Sequence, residues 1–167
     1  MPAVSAGALF SRDRRYRYRL WRRWNPARRL IAFCMLNPSA ADERSDDPTI
    51  RRCIGYARDW GYGGVEIVNL FALRATDPRE LWDARDPVGR GNDVYVIEAA
   101  QRSEAVVIAW GVHGAFRSRG AAALDLLSPR ARLLALGWTR AGEPRHPLYQ
   151  RRDVRPIDVA AIRESVT

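Results

Sequence analysis

Residues Arg29–Pro48 read RLIAFCMLNPSAADERSDDP, an apolar run that breaks abruptly into a polar, acid-rich loop. The continuous apolar run Leu30–Leu36 is typical of a β-strand that is covered on both faces. Asn37, Pro38 and Ser39 follow the run at once. We therefore expect this buried strand to deliver three polar or turn-forming residues to an edge of a sheet, where chemistry can take place.

A helix is predicted directly after the acidic loop. Asp47 has the character of an N-cap, and Pro48 is well suited to the first helical position. Apolar residues then recur at helical spacing, which predicts a stripe facing the core: Ile50, Cys53, Ile54, Ala57 and Trp60. The helix is expected to end at Gly61.

Strands and helices are predicted to alternate through the rest of the chain. The further strands are expected at residues 65–71, 106–110 and 131–136, and the further helices after Asp77, from Asp93, and at 121–127 and 156–165. Such alternation predicts one α/β domain over residues 1–167, a three-layer α/β/α sandwich around a mostly parallel sheet.

The N-terminal region shows a different pattern. Residues 1–13 are expected to be flexible, whereas Arg14–Trp24 reads RRYRYRLWRRW, in which aromatic and aliphatic residues alternate with arginines. Period-two alternation predicts a half-exposed strand with its arginines turned outward. Outward arginines between aromatics are suited to phosphates and stacked bases, although charges on a solvent face are also what an edge strand needs against aggregation.

The composition allows a nucleic-acid partner without requiring one. The 167 residues carry a formal charge of +9, and every one of the 28 basic residues is arginine. Guanidinium groups match phosphate geometry, but a merely solvated basic surface is the alternative. No apolar run reaches the roughly 18 residues that a membrane span needs. We expect a cytoplasmic monomer that binds nucleic acid or a nucleotide and contacts no membrane, and with two buried cysteines, neither metal nor cofactor is expected.

Ligands of open α/β sheets bind at the carboxyl edge of the strands. The residues at or just after the predicted strand ends are Asn37, Asn69, Trp110, His113 and His146. We expect these side chains to converge on one site. Structural alternatives remain for two of them, because Asn69 can bond a neighbouring loop and His146 can be a surface residue or a cap.

Several of these stretches resemble known families. Nearly the whole chain, from Arg14 to Tyr149, resembles the family of the domain of unknown function 1643. The order of four short motifs is also similar to that of the uracil-DNA glycosylase superfamily: MLNPS at residues 35–39, VNLFALRATDP at 68–78, VVIAWG at 106–111, and a His-Pro loop at 146–147.

The second resemblance implies roles for the residues that match its motifs. Asn37 would orient water, Asn69 would read the edge of the base, and His146 would donate to the departing base, which leaves with negative charge. Pro38, Ser39 and His113 would line the substrate site, Phe33 or Trp110 would stack on the base, and arginines such as Arg74 would hold the backbone.

The resemblance also leaves a gap, because Asn37 stands where the most active glycosylases have an aspartate. An amide can place a water molecule but cannot act as a general base. The acidic loop offers Asp42, Glu43, Asp46 and Asp47 as a replacement. With Asp47 assigned to the helix cap, Asp46 is the candidate catalytic carboxylate.

The function expected from the sequence is therefore hydrolysis of an N-glycosidic bond in a nucleic acid or nucleotide. A module that binds a nucleotide or a flipped base without cleaving it is the alternative. A third reading is an interaction protein in which the edge pocket is vestigial.

Overall fold

The computed structural model describes residues 5–164. In this range the strands are β1 (Ser5–Phe10), β2 (Arg17–Arg23), β3 (Leu30–Met35), β4 (Gly64–Asn69), β5 (Ala105–Ile108), β6 (Arg132–Ala135) and β7 (Ile157–Asp158). The helices are α1 (Pro48–Asp59), α2 (Arg79–Asp83), α3 (Asn92–Arg102), α4 (Arg119–Leu127) and α5 (Val159–Glu164). The predicted α/β class is confirmed.

All seven strands belong to one sheet, in the order β1-β2-β4-β3-β5-β6-β7. The four inner strands β4, β3, β5 and β6 are parallel. The outer strands β1, β2 and β7 are antiparallel to their neighbours. The predicted parallel arrangement therefore holds for the centre of the sheet, whereas both margins are antiparallel.

Helices cover both faces of the sheet, because each inner strand is apolar on both sides. Cys53, Tyr56 and Ala57 of α1 pack on one face. On the other face, α3 and α4 pack through small and branched residues such as Val96 and Ala123. Three layers result, with a core on each side of the central strands.

The start of α1 is formed as the sequence predicts. Asp47 caps the helix by accepting a hydrogen bond from the Ile50 N–H at 2.9 Å, and Pro48 occupies the first turn. Gly61, with φ of +87°, follows the last turn in a left-handed conformation that favours glycine. This short acidic loop and cap hold the N-terminus of α1 beside the end of β3.

The N-terminal region departs from the prediction. The expectation of a flexible segment over residues 1–13 is wrong for Ser5–Phe10, since these residues pair with β2 as strand β1; residues 1–4 lie outside the described range. Strand β2 is consequently paired on both sides, with β1 and with β4, and is not an edge strand. Arg17, which the alternation with Tyr16 and Tyr18 places on the solvent face, is instead buried, with an exposure of 2%, and Arg22 is buried as well, at 5%.

The C-terminal prediction is corrected in a similar way. A helix was expected over residues 156–165, but Ile157–Asp158 pairs with β6 as a short antiparallel strand, and the helix begins only at Val159. Ser165 lies outside the described residues. Within the described part of the chain, every helix is too short or too polar to cross a membrane.

The strand order creates a switch point in the centre of the sheet. From β3 the chain passes to β4 on one side, and it later returns to β5 on the other side of β3. Loops that leave the ends of β3 and β5 therefore turn in opposite directions. The crevice between them is where open α/β sheets bind ligands.

Candidate functional site

A pocket of about 640 Å³ lies at this switch point. The loops after β3, β5 and β6 surround it, together with the first turn of α1. Its polar and charged lining consists of Arg17, Asn37, Ser39, Asp47, Thr49, Thr76, His113, Thr139, Arg145, His146, Tyr149 and Gln150. The volume falls within the range of roughly 300–1,000 Å³ that is usual for small-ligand sites.

Asn37 lies in the pocket on a loop that is held in place by backbone bonds. Its amide nitrogen donates to the Ala75 carbonyl at 2.7 Å and to the Pro38 carbonyl at 3.1 Å. The Ala75 N–H in turn donates to the Pro38 carbonyl at 2.9 Å. Because both side-chain bonds use the nitrogen, the Asn37 Oδ1 is the atom left to accept from a ligand or a water.

His146 lies in the same pocket with a defined tautomer. Its Nδ1 accepts a hydrogen bond from the Leu148 N–H at 3.2 Å. A neutral imidazole that accepts at Nδ1 carries its proton on Nε2. Burial lowers the pKa of His146, while the charge of Asp47 raises it to a lesser extent. His146 thus presents a neutral Nε2–H donor at neutral pH.

We expect this lowered pKa to be measurable by an NMR titration of the His146 ring protons. The resonance should titrate below the ordinary value of about 6.5, and a His113→Gln variant assigns the two signals. The unfolded chain binds this proton more readily than the folded protein does. The contribution of His146 to the free energy of unfolding is therefore fully present above about pH 6.5 and is lost as the pH falls. A titration midpoint above 6.5 would contradict the burial of the neutral ring.

The carboxylate in the pocket is Asp47, and not the predicted Asp46. Asp46 lies outside the pocket lining and forms an ion pair with Arg22 Nε at 2.9 Å. Asp47 combines two roles, because its oxygens accept from the Ile50 and Ala41 N–H groups while the residue also lines the pocket. A helix cap and a site residue are the same side chain here.

Three other predicted site residues lie outside the pocket lining. Asn69 ends β4, is 1% exposed, and has a side-chain amide without a hydrogen-bond partner. Arg74 donates to the Ser39 and Arg14 carbonyls and so stabilises the loop that carries Ser39. Pro38 is buried and contributes its carbonyl to the loop bonds. Phe33, considered for base stacking, is fully buried in the core.

Trp110 and His113 both line the pocket, from the loop after β5. Trp110 is only 2% exposed, and its indole N–H donates to Glu143 Oε2 at 2.7 Å. His113 is exposed and meets Trp82 edge-on, with ring centroids 5.4 Å apart. Trp110 is therefore a fixed wall, and His113 lies at the rim.

The wall formed by Trp110 depends on a glycine, because a Cβ at Gly114 would lie 1.9 Å from Trp110 Cδ1. Gly114→Ala is expected to lower the free energy of unfolding by about 2–3 kcal/mol through overpacking. Gly55 is the matched control, since a Cβ there meets nothing within 4 Å. In the middle of α1, Gly55→Ala should raise stability by about 0.5–1 kcal/mol. Equal urea midpoints for both variants would contradict the contact.

Arg17 is a site residue that sequence reasoning missed. The pairing of β1 with β2 shifts register between Leu9 and Phe10, whose partners are Arg19 and Arg17. Tyr18 is the extra residue at this irregularity. Tyr18 stacks on Tyr95 of α3, and Arg19 pairs with Glu66. A bulge of this kind reverses the alternation of side chains between the two faces of the strand. The Arg17 side chain therefore lies on the face of the sheet that α1 covers, where the pocket is.

Cysteine and metal chemistry have no support in the described residues. Cys34 and Cys53 are both free and buried, and burial raises the pKa of the Cys34 thiol to about 12. Such thiols stay protonated at neutral pH and are poor nucleophiles. No group of three or more His, Cys, Asp or Glu side chains in residues 5–164 is placed to hold a metal ion.

Comparison with known proteins adds a family but no characterised relative. No curated protein and no solved structure matches the chain. A family model described as protein of unknown function (DUF1643) matches residues 17–148, which include β2 to β6 and every pocket-lining residue except Tyr149 and Gln150. The chain belongs to the DUF1643 family.

Proposed function

We propose that the protein binds a nucleotide unit in the switch-point pocket and hydrolyses its N-glycosidic bond. One observation carries the proposal: a carboxylate, Asp47, and a neutral imidazole donor, His146, line the same pocket. They are close enough for the charge of Asp47 to affect the pKa of His146.

The two groups are suited to the opposite charges that develop in this reaction. Cleavage of a base from its sugar passes through a cationic, oxocarbenium-like sugar and a base that leaves with negative charge. The Asp47 carboxylate would stabilise the cation, and the His146 Nε2–H would donate to the departing base. Asn37 Oδ1 would accept a hydrogen bond from the attacking water. The water oxygen bonds to the anomeric carbon as the bond from that carbon to the base breaks, and the proton that the water loses passes to the departing base anion.

The order of motifs that resembles the uracil-DNA glycosylase superfamily supports this assignment, with two changes. Asp47 takes the part of the carboxylate that is absent at residue 37. Asn69 is buried beneath the site, so the edge of the base would be read by other polar groups of the lining, such as Thr49, Thr76 and Thr139.

A base-release screen tests the proposal. Purified protein is incubated with nucleosides, nucleotides, and single- and double-stranded oligonucleotides that carry modified bases. Free base is then quantified by chromatography, and abasic sites by cleavage in alkali. Release of a base by the wild type supports the proposal. An intact panel, together with measurable binding of the same ligands, would overturn hydrolysis and leave binding.

A specific observation favours a non-catalytic binding module as the second candidate. Each oxygen of Asp47 already accepts a hydrogen bond from the backbone, from Ala41 and Ile50, and residue 37 is an amide. Saturable binding without product formation would identify this case. For an oligonucleotide ligand, the affinity should fall with rising salt.

A further inference from the structure

We infer that Arg17 is the binding site for the terminal phosphate of a mononucleotide, a phosphate monoester, inside this pocket. The inference rests on the proposed function, because the nucleotide is the ligand proposed there. It adds the substrate class, since a terminal phosphate distinguishes a mononucleotide or a 5′-phosphorylated strand end from an internal residue of a nucleic acid.

Arg17 is a buried cation whose hydrogen-bonding capacity is largely unused. It is 2% exposed, yet it lines the pocket. Its Nη1 donates to the Ala41 carbonyl at 3.0 Å, but its Nε is buried without a partner. A guanidinium carries five N–H donors, and the bond from Nη1 to Ala41 is the hydrogen bond that Arg17 forms through them among the described residues.

The neighbouring Arg22 shows how this chain satisfies a buried arginine that has only a structural role. Arg22 is 5% exposed and pairs with Asp46. Its Nη1 also donates to the carbonyls of Gly7 and Trp21, and its Nη2 to those of Asp42 and Ser45. None of the ion pairs among the described residues involves Arg17.

The electrostatic surroundings of Arg17 favour an anion. The pKa of Arg17 is lowered to about 10, chiefly by burial; the charge of Asp47 raises it, and the charges of Arg74 and Arg22 lower it. The side chain remains a cation at neutral pH. A bound anion would offset both the desolvation and the repulsion between the three arginines.

The other residues that line the pocket also favour an anionic ligand. The charged lining of the pocket is Arg17, Arg145 and Asp47, two guanidinium groups and one carboxylate. Thr49, in the first turn of the 12-residue helix α1, also lines it. The positive end of a helix dipole favours a phosphate, and a guanidinium binds phosphate oxygens in a bidentate manner.

The burial of Arg17 indicates that the phosphate that reaches it is a terminal one. A phosphodiester within a strand carries a chain on both sides and has to lie along an open groove. A phosphate monoester has a single substituent and about two negative charges at pH 7. It can enter end first and reach the guanidinium of Arg17, a residue that is 2% exposed, with the sugar and the base behind it.

Calorimetric titration of the full chain tests this inference without any variant. The ligands are the ribo- and deoxyribonucleoside 5′-monophosphates, the matching nucleosides, inorganic phosphate, and a trinucleotide with and without a 5′-phosphate. The monophosphate of the preferred base should bind about 10- to 100-fold more tightly than its nucleoside. Tighter binding of the trinucleotide only when it is 5′-phosphorylated would assign the phosphate to a strand end.

Variants then test whether Arg17 provides the phosphate increment, which is the gain in affinity of the monophosphate over its nucleoside. Arg17→Met should abolish the increment, so that this variant binds nucleoside and monophosphate with equal affinity, and its unfolding temperature should be no lower than that of the wild type. Arg22→Met should unfold at lower temperature, because it breaks the bonds of a satisfied arginine. Arg130→Met, which removes an exposed charge outside the pocket, should retain the increment.

The outcomes separate the two proposals. Equal affinity for nucleoside and monophosphate would overturn the phosphate site and leave the proposed function standing. Arg17-dependent binding of inorganic phosphate, without binding or hydrolysis of any nucleoside, nucleotide or oligonucleotide, would support the site and overturn the proposed function. A phosphate increment that survives in Arg17→Met, or destabilisation of this variant equal to that of Arg22→Met, would show that Arg17 is structural.

Discussion

Replacing His146 with asparagine is expected to lower the rate of base release by about 10²–10⁴-fold. Asparagine can still accept the Leu148 N–H through its Oδ1, so the turn after residue 146 is retained. It lacks the Nε2–H that would reach the departing base. The variant therefore removes the donor and keeps the cap, and we expect kcat to fall with little change in KM or in unfolding temperature.

The adjacent carboxylates Asp46 and Asp47 allow a matched test of the carboxylate, because Asp47 lines the pocket and Asp46 does not. Asp47→Asn keeps an oxygen for the Ile50 N–H, since asparagine is also a good N-cap, but it loses the negative charge in the pocket. We expect base release to fall by about 10²–10³-fold. Asp46→Asn weakens only the ion pair with Arg22 and should leave the rate unchanged. A fall in rate for Asp46→Asn, with an unchanged rate for Asp47→Asn, would identify Asp46 as the catalytic carboxylate.

Much of the fold could be predicted because the responsible signals are local. An uninterrupted apolar run predicts a strand covered on both sides, as at Leu30–Met35, and an Asp-Pro pair before a helical stripe predicts the start of α1. The short pairings at the margins lack such a signal. Ser5–Phe10 and Ile157–Asp158 become strands because a neighbouring strand offers unpaired backbone groups, and that depends on tertiary structure.

The site could be predicted only where a residue directly follows an inner strand. Asn37 and Trp110 reach the pocket for this reason, each two residues after the end of its strand, whereas His146 lies eleven residues after the end of β6. Arg17 could not be recognised, because a register shift of one residue at Tyr18 reverses which face it occupies. The choice between Asp46 and Asp47 was equally hidden, since it depends on Arg22, which lies 24 residues before Asp46 and is brought to it only by the fold.

The margin of the sheet is held to its centre by one buried carboxylate. Glu66 of β4 is completely buried and forms ion pairs with Arg19 of β2 and Arg102 of α3. In Glu66→Gln, the single amide oxygen can accept from one arginine, while the amide NH₂ faces the donors of the other. Breaking a buried charge network of this kind costs about 3–5 kcal/mol. Because Arg19 and Arg102 are partly exposed and can regain water, we expect the lower end, about 3 kcal/mol, in urea-induced unfolding.

Glu98 is the control, because it meets the same Arg102 on the surface of α3, at 3.7 Å and with 45% of its side chain exposed. An exposed pair at this helical spacing contributes about 0.3–0.5 kcal/mol, so Glu98→Gln should barely move the urea midpoint. In the double variant of Glu66→Gln and Arg19→Met, one unsatisfied guanidinium has been removed, and part of the lost stability should return. A Glu66→Gln variant as stable as Glu98→Gln would mean that the arginines reach water without loss, and that backbone pairing with β4 holds β2, and packing holds α3, on the parallel centre without the ion pairs.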